Sequence, residues 1–132
     1  MACWLFKEEP QHFSFERLQL EGETEWDGVR NSLALRHLRS VSEGDEILYY
    51  HTGMERAVVG AATCTRAAAG KDGWPVIRAG RRFRRAVTLS EIKRSGRFGD
   101  SPLVRNSRLS VMPVDTLLRE FILKSGGWEE KD

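Results

Sequence analysis

Glu46-Ile47-Leu48-Tyr49-Tyr50-His51-Thr52-Gly53-Met54 is the stretch on which the fold turns. Its first six residues are aromatic and branched enough to be strongly β-prone. The turn Glu43-Gly44-Asp45 precedes them, and Thr52-Gly53-Met54 sends the chain into a second strand, Ala57 to Thr65. Upstream, the apolar run from Ala2 to Lys7 ends at Glu8-Glu9-Pro10 and reads as a buried strand closed by a turn. Downstream, Trp74 to Ala86 supplies a longer strand, and Arg108 to Val114 a short one broken by Pro113.

Short helices fall between the strands. Ser14 caps one that turns Phe15 and Leu18 inward, and an acidic loop, Glu21 to Glu25, follows it. Asn31 is placed to cap a second helix that buries Ala34, Leu38 and then Val41. Thr88-Leu89-Ser90-Glu91 is a capping box with Val87 and Ile92 as its staple. Gly96 to Pro102 reads as a loop. Asp115 caps a last helix with Leu117, Leu118, Phe121 and Ile122 inward, ended by Gly126-Gly127. The fold class is therefore α+β, a small mixed β-barrel or highly bent sheet with flanking short helices. One domain is expected over residues 1–127, with a loose tail at 128–132.

Composition narrows the function classes. The 132 residues are 40% hydrophobic and 30% charged, an ordinary globular balance. A chain of this size buries roughly two thirds of its unfolded surface without a disulfide or metal. No apolar run reaches the ~18 residues of a membrane span, and the amino terminus is no signal peptide. An intracellular, cytoplasmic location is expected, association with the nucleoid included, and a monomer is the default. Cys3 and Cys64 lie in separate strands and read as buried small hydrophobes. His12, His37 and His51 show no metal spacing, and no cofactor is implied.

The net charge of +2 conceals a segregation. Residues 66–108 hold twelve Lys/Arg against three Asp/Glu, whereas the rest of the chain is acidic. Such a pattern suggests a basic face aimed at a polyanion, unless the fold interleaves the two segments. Arg81-Arg82-Phe83-Arg84-Arg85 concentrates it; alternation puts Arg81, Phe83 and Arg85 on one face and Arg82 and Arg84 on the other.

The stretch Trp26-Asp27-Gly28-Val29-Arg30-Asn31 gathers a large aromatic, a turn glycine, a permanent cation and an amide. With Trp4-Leu5-Phe6-Lys7-Glu8-Glu9-Pro10, Tyr49-Tyr50-His51 and the run from Leu103 to Val114, it makes four motifs in order. This set resembles the EVE domain of the thymocyte nuclear protein family and its bacterial relatives, over nearly the whole chain. The resemblance implies a PUA-like fold. It also implies binding to nucleic acid, DNA or RNA, by accepting a flipped base, particularly a modified cytosine in DNA, in an aromatic-lined pocket. The chain departs from the family pattern at Glu8, where Ser or Thr is usual. A second carboxylate there would repel phosphate and alter which base edge is accepted.

A base taken from its stack loses a few kcal/mol that the protein must replace. Trp26 offers a π-face worth about 1–3 kcal/mol per stacked base. Asn31 carries donor and acceptor on one group and can pair with a base edge, or merely cap its helix. Glu8 is a second candidate for the base edge. Tyr50 and His51 could line the opposite wall, with Gly28 and Val29 beside them. Lys7, Arg30 and Arg108 can reach phosphate or anchor the pocket, Arg30 having Asp27 as an alternative partner. Arg81, Arg82, Arg84 and Arg85 are candidate outer phosphate contacts.

No catalytic motif with a nucleophile and base is present, and no catalytic residue is assigned. One alternative is a small amidohydrolase acting on an acylated cytidine, as in related ASCH domains, with Lys7, Glu8 or Glu9, and Thr52. Adjacent strand residues point to opposite faces, so only one of the two glutamates could join Lys7. A small-molecule-binding module is another alternative.

Overall fold

The computed structural model describes residues 1–70 and 72–127. β1 (Cys3–Glu8) leads into two short helices, α1 (Pro10–Phe13) and α2 (Phe15–Glu21), and a brief β2 (Glu23–Glu25). After α3 (Ser32–Ser40) come β3 (Glu46–His51), β4 (Ala57–Arg66) and β5 (Val76–Thr88). The chain then forms α4 (Leu89–Arg94), α5 (Pro102–Arg105), β6 (Val111–Pro113) and α6 (Thr116–Ser125). The strands make one mixed sheet in the order β2-β5-β4-β3-β1-β6, curled into a half-barrel. The α+β class read from the sequence is the one found.

β1 sits inside this sheet, parallel to β3 and antiparallel to β6. Parallel neighbours need a long crossover, and the whole segment from α1 to α3 provides it. Leu5, Phe6, Ile47, Leu48 and Tyr49 have no exposed surface. Near-continuous apolar strands of this kind are buried on both faces. Residues of α2, α3, α4, α5 and α6 join the sheet in one hydrophobic core.

The capping chemistry places the helices. The side chains of Ser14, Asn31, Thr88 and Asp115 each accept a hydrogen bond from a first-turn N–H, and Thr88 and Glu91 form the full box. Asp45 makes a different lock. Its carboxylate is buried and accepts from Ala2 N–H at 3.0 Å, Trp4 Nε1–H at 2.9 Å and Ser42 N–H at 2.8 Å. Burial alone would push its pKa up, but these donors outweigh burial and hold it below the ordinary carboxylate value.

Several local expectations need correction. The acidic loop contains β2, because Glu23, Thr24 and Glu25 pair with Arg78, Ile77 and Val76. Four-residue helices α1 and α5 were not anticipated. On α6 it is Leu123 that turns inward and Leu117 that stands 69% exposed. Cys64 is buried and Cys3 only half-buried, both as free thiols. The arginine run does not alternate simply: while β4 advances from Val58 to Gly60, β5 runs from Val87 back to Arg82. Within that bulge the N–H groups of Arg84 and Arg85 donate to Gly126 O, not to β4. Arg81 is half-buried, Phe83 buried, and Arg82, Arg84 and Arg85 exposed. The tail at 128–132 lies outside the described residues.

Candidate nucleic-acid interface

The motifs meet where β1 and β3 end. The register pairs Lys7 with Tyr50 and Glu8 with His51, so alternation sends Lys7 and Tyr50 to one face and Glu8 and His51 to the other. Lys7 and Glu8 therefore serve different surfaces, and of the two glutamates Glu8 is not the one that could join Lys7.

On the first face the Lys7 ammonium lies 5.2 Å from the centre of the buried Tyr50 ring and donates to Ser107 O at 3.1 Å. Lys7 N–H also donates to Ser110 O, which draws the 105–110 loop against the strand end. Burial lowers the Lys7 pKa below the ordinary lysine value and raises that of Tyr50, where Arg56 opposes the rise. Arg108 stands exposed on this loop.

The second face is built around Trp26. Its ring packs against Phe6 at 5.4 Å and, edge-on, against Tyr49 at 5.5 Å, contacts worth about 0.5–1.5 kcal/mol each beyond simple burial. Only 6% of Trp26 remains exposed, so it is not an open stacking platform. Its indole N–H has no hydrogen-bond partner among the described residues, yet it is not sealed in the core. Trp26 borders a cleft of about 260 Å³ lined also by Glu8, His12, Phe13, Thr24, Glu25 and Asp27. The Glu8 carboxylate accepts from Glu9 N–H at 2.9 Å and lies 3.2 Å from His12 Nδ1. Tyr49 O–H donates to Phe13 O and holds that wall in place.

His51 is not a cleft wall. Its ring is buried, its Nε2 accepts from Phe15 N–H at 3.0 Å, and its Nδ1 faces Glu55 Oε1 at 3.1 Å. With Nε2 accepting, the ring proton belongs on Nδ1. Asn31 spends its Oδ1 on Ala34 N–H at 3.0 Å and is exposed at the start of α3. Gly28 takes φ +77°, a conformation suited to glycine, and Val29 packs against the core. Arg30 is exposed without an ion pair among the described residues, Asp27 included. The β5 arginines lie across β4 and β3 from β1, and Arg85 pairs with Glu91. Thus Trp26 and Glu8 are brought together, Lys7 and Tyr50 meet on the other face beside the loop that carries Arg108, and Arg81 to Arg85 stand apart.

His12, Phe13, Thr24, Glu25 and Asp27 were missed as cleft residues. Pro10, suited to a first helical turn, was the available signal for α1. No comparable signal marked Thr24 and Glu25. Among the described residues no group of three His, Cys, Asp or Glu side chains could hold a metal ion, and no helix is long and apolar enough to cross a membrane.

Comparison with known proteins accords with this fold. Curated proteins gave no match. A solved structure from Rhodopseudomonas palustris is 32% identical, with a TM-score of 0.90 over 96% of this chain and 94% of that one. The human THYN1 protein, solved in complex with 5-methylcytosine-containing DNA, is 22% identical, with a TM-score of 0.82 over 98% of this chain and 99% of that one. An ASCH protein from Zymomonas mobilis is 11% identical, with a TM-score of 0.58 over 93% of this chain and 94% of that one, a likeness of fold alone. The EVE domain model matches residues 2–125, and the chain belongs to the EVE domain family.

Proposed function

We propose that this protein binds DNA and takes one base, a modified cytosine, into the cleft beside Trp26. The observation that carries the reading is that two complementary residues line one small cavity: Trp26, whose indole N–H has no hydrogen-bond partner among the described residues, and Glu8 with its carboxylate. A cytosine edge offers a carbonyl to the first and an amino group to the second. The cleft, at about 260 Å³, is below the usual range of ~300–1,000 Å³ for ligand pockets and suits a base without its sugar-phosphate. Glu8, Glu25 and Asp27 repel phosphate, which leaves the backbone at the rim near Arg30. The family relationship to a protein crystallised on 5-methylcytosine DNA supports the same choice of partner.

In this reading Trp26 acts through its edge, and Phe13 supplies the apolar wall. Asn31 orders the loop by capping α3 and leaves its amide nitrogen for the ligand. Lys7 and Arg108 serve the opposite rim as phosphate contacts.

Fluorescence anisotropy with matched oligonucleotides, one carrying 5-methylcytosine and one cytosine, tests it. Tighter binding of the modified duplex is expected. Trp26→Phe, which keeps most of the ring packing and removes the N–H that meets the base carbonyl, should weaken binding of both duplexes. Equal affinity for both duplexes, unchanged in Trp26→Phe, would overturn the reading.

A further inference from the structure

A larger groove of about 880 Å³ runs between the β3–β4 turn and α4, lined by Gly53, Met54, Arg56, Leu89, Lys93 and Arg94 among others. Three of these are cations. The single carboxylate on its lining, Glu55, already faces His51 Nδ1 at 3.1 Å, and Glu91 on α4 is paired with Arg85. Lys93 and Arg94 are exposed and in no salt bridge among the described residues, although the Arg94 charge also bears on Glu91. Arg56 is exposed and commits Nε to Gly53 O at 3.2 Å.

The turn that forms one bank is held firmly. Leu89 N–H donates to Arg56 O at 2.8 Å and fixes Arg56 at φ +44°, a left-handed conformation that a side-chain-bearing residue adopts at a cost. Met54, at the tip, is fully exposed, although large apolar side chains are usually withdrawn from water. The turn is also tied to the strand end that carries Glu8: Thr52 N–H donates to the backbone carbonyl of Glu8, whose side chain lines the cleft.

We infer that this groove is a second nucleic-acid contact, which seats the backbone flanking the bound base. Arg56, Lys93 and Arg94 meet phosphates there, and Met54 lies against a sugar or base face. The inference rests on the nucleic-acid reading above. It places the outer phosphate contacts on the α4 side of the molecule, not on Arg81 to Arg85. Charge selects the partner, because an anionic strand with apolar faces matches both the cations and the exposed thioether.

Salt titration of duplex affinity separates these roles. Each phosphate contact adds about 0.9 to the slope of log affinity against log salt, and a neutral side chain adds nothing. Lys93→Ala/Arg94→Ala should weaken binding and reduce the slope by about 1.8, equally for modified and unmodified duplexes. Met54→Ala should weaken binding with the slope unchanged. All these positions are exposed, so thermal unfolding should match the parent protein. A double variant with the parent's affinity and slope would overturn the groove while leaving the cleft reading intact. A parent protein that binds no duplex at low salt would overturn both, and the groove would then fit an acidic protein instead.

Discussion

The indole N–H of Trp4 donates to Asp45 Oδ2 at 2.9 Å and ties the start of β1 to the turn that launches β3. Asp45 is acceptor-only when ionised, and all three of its partners are donors. Asp45→Asn must turn an N–H toward a donor and should cost about 1–3 kcal/mol in urea unfolding. The folded-state pKa lies below the ordinary 3.8. The contribution is therefore fully present above that value and is lost as pH falls through the folded-state pKa. The variant should accordingly show a shallower loss of stability below about pH 4.

His51 joins the sheet to α2 by accepting the Phe15 N–H. Removing the ring strands a buried donor and opens a cavity beneath Phe15 and Tyr49. His51→Ala should cost about 2–4 kcal/mol. Hydrogen exchange at the Phe15 amide should rise more than in α6, which does not share the contact.

Lys7 provides a test of opposite sign. Burial lowers its folded-state pKa below 10.5. Below the folded value both states hold the proton and the penalty is fully present; above 10.5 neither does, and the penalty is gone. Between the two the unfolded chain binds more protons, so stability rises with pH. NMR of the Lys7 side chain should show titration below the ordinary lysine value of 10.5. The stability gap between the parent and Lys7→Met should shift in favour of the parent across this window.

Glu8 should control which base edge is accepted. Glu8→Gln preserves shape but gives one donor and one acceptor in place of two acceptors. A bidentate base contact discriminates by about 1–3 kcal/mol, so affinity for a 5-methylcytosine duplex should fall about tenfold or more while the salt slope stays near the parent's. An unchanged affinity would remove Glu8 from recognition.

Local chemistry made much of the fold legible. Asn31, Thr88 and Asp115 cap their helices because a side-chain oxygen three residues before a free N–H needs no tertiary help. β3 was legible from composition alone. β2 was not, since Glu23-Thr24-Glu25 has no strand character of its own and pairs only because β5 passes beside it. The site divides in the same way. The opposition of Lys7 and Glu8 follows from strand parity, but the covering of Trp26 depends on Phe6 and Tyr49, distant in sequence. Whether His51 was a wall residue or a satisfied structural histidine was not legible, because its partner, the Phe15 amide, belongs to a helix packed from elsewhere.

The internal position of β1 bears on how the protein reaches its working state. Its two neighbours are the third and the sixth strands, so its second edge stays uncovered until Val111 to Pro113 arrive. Pairings this distant raise contact order and slow folding, with unpaired strand edges exposed meanwhile to intermolecular association. Lys7 and Glu8 stand at the end of that strand. The sheet around that strand is therefore complete only with its last closure, and until then the chain has open edges through which it can aggregate.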